Sequence, residues 1–210
     1  LEKFSYSIGV NIATSMKEKH DLKDIDGMSI AKGFNDVIYN KELDISLLGT
    51  DSILNDYFFK LAEESRYEQA AKALKEGKEF LIENAKREEI KTTASGLQYE
   101  ILRLGMRGVK AEKEYVVTIH YQASFINGEV YDSSIEKEPV SFPLNAPNGT
   151  IRGLHEGIEL MSIGDQYKFY IPAKLAYGNS SPEGSPIPPG STLVFVIELT
   201  NLATIEGTQL

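Results

Sequence analysis

The chain has 210 residues, 41% of them hydrophobic and 25% charged, with a net charge of −9 from 22 basic and 31 acidic side chains. The first ninety residues and the rest are each net acidic, which argues against nucleic acid as a partner. An ordinary apolar fraction argues against wholesale disorder, and the absence of cysteine removes disulfides, thiolate chemistry and Cys-bound metals. No apolar run reaches the roughly 18–20 residues of a membrane span.

All eight prolines lie from Pro139 onward, and glycine leans the same way. Both residues break helices and mark turns, so the chain reads as helical first and β-rich second. In the helical part, Ile8, Ile12 and Met16 recur every four residues and predict a short amphipathic helix over 5–19. Asp26 can cap a second helix running to about Tyr39, with Ile30, Phe34 and Ile38 on one face. After Gly49-Thr50-Asp51, the stretch 51–90 holds one glycine, Gly77, and no proline. It predicts a single helix roughly 60 Å long. Gly77 reads either as a kink or as a tolerated helix glycine. The apolar stripe (Leu54, Tyr57, Phe58, Leu61, Ala70, Leu74, Leu81, Ile90) is too thin to bury such a rod. The two helices before it are too small for a good core, and sharing one with a second copy is the expected solution.

The period then changes from helical to alternating. Strands are predicted over Leu97–Leu104, Tyr115–Phe125, Glu129–Tyr131 after the Asn127-Gly128 turn, Pro139–Leu144, Gln166–Ile171 and Thr192–Leu202. In the second of these, Val117, Ile119, Tyr121 and Ala123 share one face. Arg152–Met161 reads as a short helix stopped near Gly164. The class is α+β: a helical arm, then an antiparallel sheet wrapped on one short helix. The boundaries fall at 1–50 for a helical dimerisation domain, 51–91 for a connecting helix and 92–210 for the sheet domain.

His120-Tyr121, Tyr131-Asp132-Ser133-Ser134, Ile151-Arg152-Gly153-Leu154, Leu175-Ala176-Tyr177-Gly178, Ile187-Pro188-Pro189 and Thr192-Leu193-Val194-Phe195 follow in that order. Over about 95–203 the chain thereby resembles the FKBP-type peptidyl-prolyl cis-trans isomerases. Ser5-Tyr6-Ser7-Ile8-Gly9, Ala31-Lys32-Gly33-Phe34, the run from Phe80 to Lys86 and Ser95-Gly96-Leu97-Gln98-Tyr99 resemble the macrophage infectivity potentiator (Mip)-like branch. That branch implies a homodimer through residues 1–50, chaperone-like holding of proline-containing polypeptide clients, and binding of macrolide inhibitors. It also implies a periplasmic or outer-membrane-associated location in a Gram-negative bacterium, with the cytoplasm as the alternative.

Rotation about an X-Pro bond faces a barrier of roughly 18–20 kcal/mol because it breaks amide resonance. It needs neither nucleophile, metal nor cofactor. A catalyst must favour the twisted amide, whose carbonyl is less polar, in an apolar pocket with a few hydrogen-bonding groups at its rim. The resemblance puts Asp132, Tyr177 and the Ile151 N–H in the catalytic roles, and Tyr121, Tyr131, Val140, Phe142, Leu154 and Phe195 around the substrate. Without it, Tyr121 and Phe195 read as core, Asp132 as a turn cap and Tyr177 as a loop residue. The chain departs from the family pattern at Leu154, commonly Trp, at Val140, commonly Phe, and at Tyr131, commonly Phe. Leu154 and Val140 keep open a non-catalytic chaperone or peptide-binding module on the same scaffold. No two of His20, His120 and His155 have metal-ligand spacing.

Overall fold

The computed structural model describes residues 1–20, 25–105, 108–146, 150–206 and 208–209. Three helices open the chain: α1 (Glu2–His20), α2 (Gly27–Ile38) and α3 (Leu47–Asn84). Asp26 caps α2 as expected, its carboxylate accepting from the Met28 and Ser29 N–H groups. The chain divides into two compact units, Leu1–Phe58 and Phe59–Leu210.

Among the described residues of the first unit, Asp36 alone is buried. Its carboxylate faces Lys32 at 3.2 Å and Lys41 at 3.9 Å. The apolar side chains of this unit lie outside, with Met28 80% and Leu48 84% exposed.

In the second unit, β1 (Lys91–Thr92), β2 (Gln98–Arg103), β3 (Tyr115–Phe125), β4 (Val130–Ser133), β5 (Val140–Pro143), β6 (Gln166–Ile171) and β7 (Leu193–Thr204) form one antiparallel sheet, with α4 (Arg152–Ile158) between β5 and β6. Spatial order is β1-β2-β6-β7-β3-β4. The long strand β3 pairs with β7 along one edge. Its other edge is shared: Val116–Ile119 pair with β5 and Gln122–Ser124 with β4. The chain between β4 and β5 therefore leaves and re-enters the sheet beside Tyr121.

Alternation in β7 buries Phe195, Ile197 and Leu199, then skips to Leu202. A bulge absorbs the extra residue: Thr118 pairs with Asn201 and Ile119 with Leu199, leaving Thr200 unpaired. The Thr200 hydroxyl donates to the Thr118 carbonyl at 2.9 Å. Val117, Ile119, Ile158, Met161, Phe169, Ile171 and Leu193, none more than 3% exposed, complete the core.

Helix α4 lies close on β6 because two glycines face it. A Cβ on Gly153 would stand 2.4 Å from Ile171 Cγ2, and one on Gly157 2.7 Å from Phe169 Cε1. The helix ends at Ile158, three residues before the expected Met161. Leu160 and Met161 continue as turns, their N–H groups bonding the Gly157 and Ile158 carbonyls.

The long helix also stops early, at Asn84 rather than Ile90. Its end is tied to the sheet by side chains. Asn84 Nδ2 donates to Gln98 Oε1 at 2.9 Å, and Gln98 Nε2 to the Leu81 carbonyl at 2.8 Å. Arg87 bonds Glu100 at 2.5 Å and the Tyr170 hydroxyl at 3.1 Å. Gly77 marks a close approach, in place of a kink or a tolerated helix glycine: its Cβ would meet Thr192 Oγ1 at 2.3 Å. Gly190, at φ +77°, lies against the same helix, where a Cβ would be 2.5 Å from the Ala70 carbonyl oxygen.

Candidate active site

A cavity of about 500 Å³ opens between β3, β4, β5, the start of α4 and the loop before β7. Tyr121, Tyr131, Asp132, Val140, Phe142, Ile151, Leu154, Tyr177 and Phe195 all line it. These are the nine residues expected at the site, contributed by six separate segments. Ile119, Ala123, Thr150, Pro182, Ser185, Pro186 and Ile187 line it too; sequence reasoning assigned none of them to the site, although Ile187 opens one of the ordered motifs. Ile119 and Ala123 were legible: they flank Tyr121 at period two on one face of β3.

The walls are aromatic. Tyr121 and Phe195 have ring centroids 6.2 Å apart, and Tyr131 meets Phe195 edge-on at 6.5 Å and 84°. Phe125 backs Tyr131 at 4.8 Å. Leu154, 6% exposed, forms the floor from the first turn of α4. Phe195, 8% exposed, serves both core and wall. Val140 is 41% exposed and belongs to the rim.

Polar groups line the cavity as well. The Tyr121 hydroxyl donates to Asp132 Oδ2 at 2.6 Å, and the Ser133 N–H donates to Oδ1 at 2.8 Å. Asp132 thus joins a turn contact to a pocket contact. Burial, then the bond to Asp132, pushes Tyr121 up to about 12. Burial, reinforced by Tyr177, Asp132 and Tyr121 nearby, raises Tyr131 well above the ordinary tyrosine value. Tyr177 is 42% exposed, and its hydroxyl has no partner among the described residues. Ile151 caps α4 with extended backbone at φ −73° and ψ 149°, and no described residue accepts from its N–H.

Ser134 fixes Tyr121 from behind. Its hydroxyl accepts the Tyr121 N–H at 2.8 Å, and its own N–H donates to the Tyr121 carbonyl at 2.9 Å. His120, on the opposite face, has Nδ1 3.2 Å from the Ser134 carbonyl oxygen. His155 stacks obliquely on Phe142 at 6.5 Å, while the His20 side chain lies outside the described residues. Among the described residues, no three His, Asp or Glu side chains are grouped as metal ligands, and no helix is long and apolar enough to cross a membrane.

A cavity with aromatic walls and hydrogen-bonding groups in its lining suits rotation of a tertiary amide, which makes and breaks no bond. Comparison with known proteins agrees with that chemistry. Residues 108–200 match the profile of the FKBP-type peptidyl-prolyl cis-trans isomerases, and residues 1–101 that of the domain amino-terminal to such isomerases. The chain belongs to this family, and it is a peptidyl-prolyl cis-trans isomerase. It is 36% identical over 207 residues to the FKBP-type isomerase FkpA of Aeromonas hydrophila, covering 94% of this chain and 75% of that one. It is 30% identical to the isomerase Mip of Coxiella burnetii, covering 96% and 86%. The crystal structure of FkpA from Escherichia coli superposes with a TM-score of 0.73 at 30% identity, covering 96% of each chain.

Proposed function

We propose that the cavity holds the X-Pro bond while it rotates, with Asp132, Tyr177 and the Ile151 N–H as the catalytic groups and Tyr121, Tyr131, Val140, Phe142, Leu154 and Phe195 around the substrate. One observation carries the assignment. All nine residues converge on one cavity, which combines hydrogen-bonding groups with aromatic and aliphatic walls. Tyr177 and Ile151 anchor the flanking carbonyls. Asp132 is the charge nearest the rotating amide, held in place by Tyr121. The test is turnover of a short X-Pro peptide. Tyr177→Phe and Asp132→Ala should each lower kcat/KM about tenfold or more, the scale of a lost interaction with a charged or positioned group. Turnover equal to the parent in both would remove these roles.

The second part of the proposal concerns the helical arm. Among the described residues of this unit only Asp36 is buried and no apolar core is formed, and helices of this length gain most of their stability from packing. Residues 1–50 therefore form a homodimer, and two cavities carried by one dimer hold an unfolded client more tightly than one. Phe34→Arg should leave peptide turnover intact, dissociate the dimer in sedimentation, and slow catalysis on a refolding protein. A sedimentation mass of one chain for the parent would refute the dimer. Placement in the periplasm or at the outer membrane is supported by a relative named outer membrane protein MIP, from Legionella longbeachae, 32% identical over 209 residues. Cell fractionation checks it.

A further inference from the structure

The Tyr131 hydroxyl is buried in the cavity wall and has no hydrogen-bond partner among the described residues. Its ring is held between Phe125 and Phe195, with Tyr177, Asp132 and Tyr121 of the same cavity nearby. The nearest carboxylate is already engaged, one oxygen by the Tyr121 hydroxyl and the other by the Ser133 N–H. A buried hydroxyl left in this condition is costly and rare in native proteins.

We propose that Tyr131 is a specificity-determining residue whose hydroxyl donates to a backbone carbonyl of the bound peptide. The stoichiometry of the ligand favours this. Proline lacks an N–H, so a proline-bearing segment brings more acceptors than donors. A site that binds it well must supply donors, and Tyr131 has one to spare. The high affinity of this phenol for its proton keeps it a donor throughout the neutral range. The bond forms in planar and twisted amide alike when it falls on a flanking carbonyl, so it lowers KM without changing kcat.

The inference rests on the isomerase reading of the cavity, and its test separates the two. Tyr131→Phe is compared with the parent for kcat and KM on a short X-Pro peptide, for Kd of the same peptide by NMR titration, and for melting temperature. The expected result is KM and Kd raised about three- to tenfold, kcat within about twofold, and a melting temperature unchanged or higher. Unchanged or tighter peptide binding overturns the proposal. So does a lower melting temperature accompanied by a fall in kcat, which marks a structural role. A parent chain that binds the peptide without turning it over would defeat the isomerase reading of the cavity, while Kd still decides the hydroxyl.

Discussion

Gly157→Ala replaces a glycine in the last turn of α4 by the best helix former, a change that taken alone stabilises by at most about 1 kcal/mol. Here the new methyl would meet three atoms of the Phe169 ring, at 2.7, 2.9 and 3.0 Å. Phe169 is fully buried, with the Tyr99 and Tyr167 rings at 6.3 and 5.9 Å, so it has nowhere to retreat. Restoring an ordinary 3.4 Å contact moves α4 by about 0.7 Å away from β6. Overpacking of this kind costs about 1–3 kcal/mol, so the net effect is a loss of about 0–2 kcal/mol after the propensity gain. The same displacement carries Ile151 and Leu154 out of register with the opposite wall. We expect kcat/KM on a short X-Pro peptide to fall about three- to tenfold, since misplacement on the scale of an ångström is expensive in catalysis. Urea unfolding followed by circular dichroism gives the first quantity and peptide turnover the second. Phe169→Leu in the same chain should relieve the clash and show a coupling of about 1 kcal/mol. A Gly157→Ala chain more stable than its parent, with unchanged kcat/KM, would refute the reasoning.

Arg87→Ala should destabilise by about 1–3 kcal/mol, because it strands the buried Glu100 carboxylate and frees the Tyr170 hydroxyl; adding Glu100→Gln should recover part of it, measured by urea unfolding. Tyr121 holds its proton up to about 12 in the folded chain, against an ordinary tyrosine value of about 10 when unfolded. Between those values the unfolded chain binds fewer protons, so this contribution is complete below about pH 10 and lost as pH rises through 12. Tyr121→Phe should flatten that part of an alkaline stability curve. Leu154→Trp should raise peptide turnover and macrolide affinity several-fold by refilling the cavity floor with a flat ring, as a titration and a peptide assay would report. No change in either would mean that Leu154 costs the enzyme nothing.

Period-two patterns made β3 and β6 legible to within a residue, because each buries one face, and α2 was legible from its Asp26 cap and its period-four stripe, although that stripe stays exposed. The pocket residues were legible as an ordered string of motifs, since spacing in sequence survives where the fold is shared. The losses have a common origin in distant contacts. The end of α3 is set by Gln98 and Arg87, neither of which belongs to the helical pattern. The short run of α4 and its two glycines answer to Ile171 and Phe169 across the sheet. The bulge at Thr200 shows only as a broken alternation, which a sequence cannot distinguish from a strand end. Thr150 entered the cavity with no motif to mark it, and its hydroxyl too lacks a partner among the described residues.

Composition places the seam of the chain near Thr92, but the second compact unit begins at Phe59, inside the 38 residues of α3. A fragment begun at Thr92 would lack Ala70, Leu74 and Gly77, which lie against Gly190 and Thr192, and Asn84 and Arg87, which satisfy Gln98 and Glu100. The Gly190 N–H bonds the carbonyl of Gly178, the residue after Tyr177. Trimming the helix would thus loosen the support of the site's own tyrosine. The smallest self-sufficient piece of this enzyme is longer than its sheet, and a protease acting on the native chain should leave a resistant product that still carries the second half of α3.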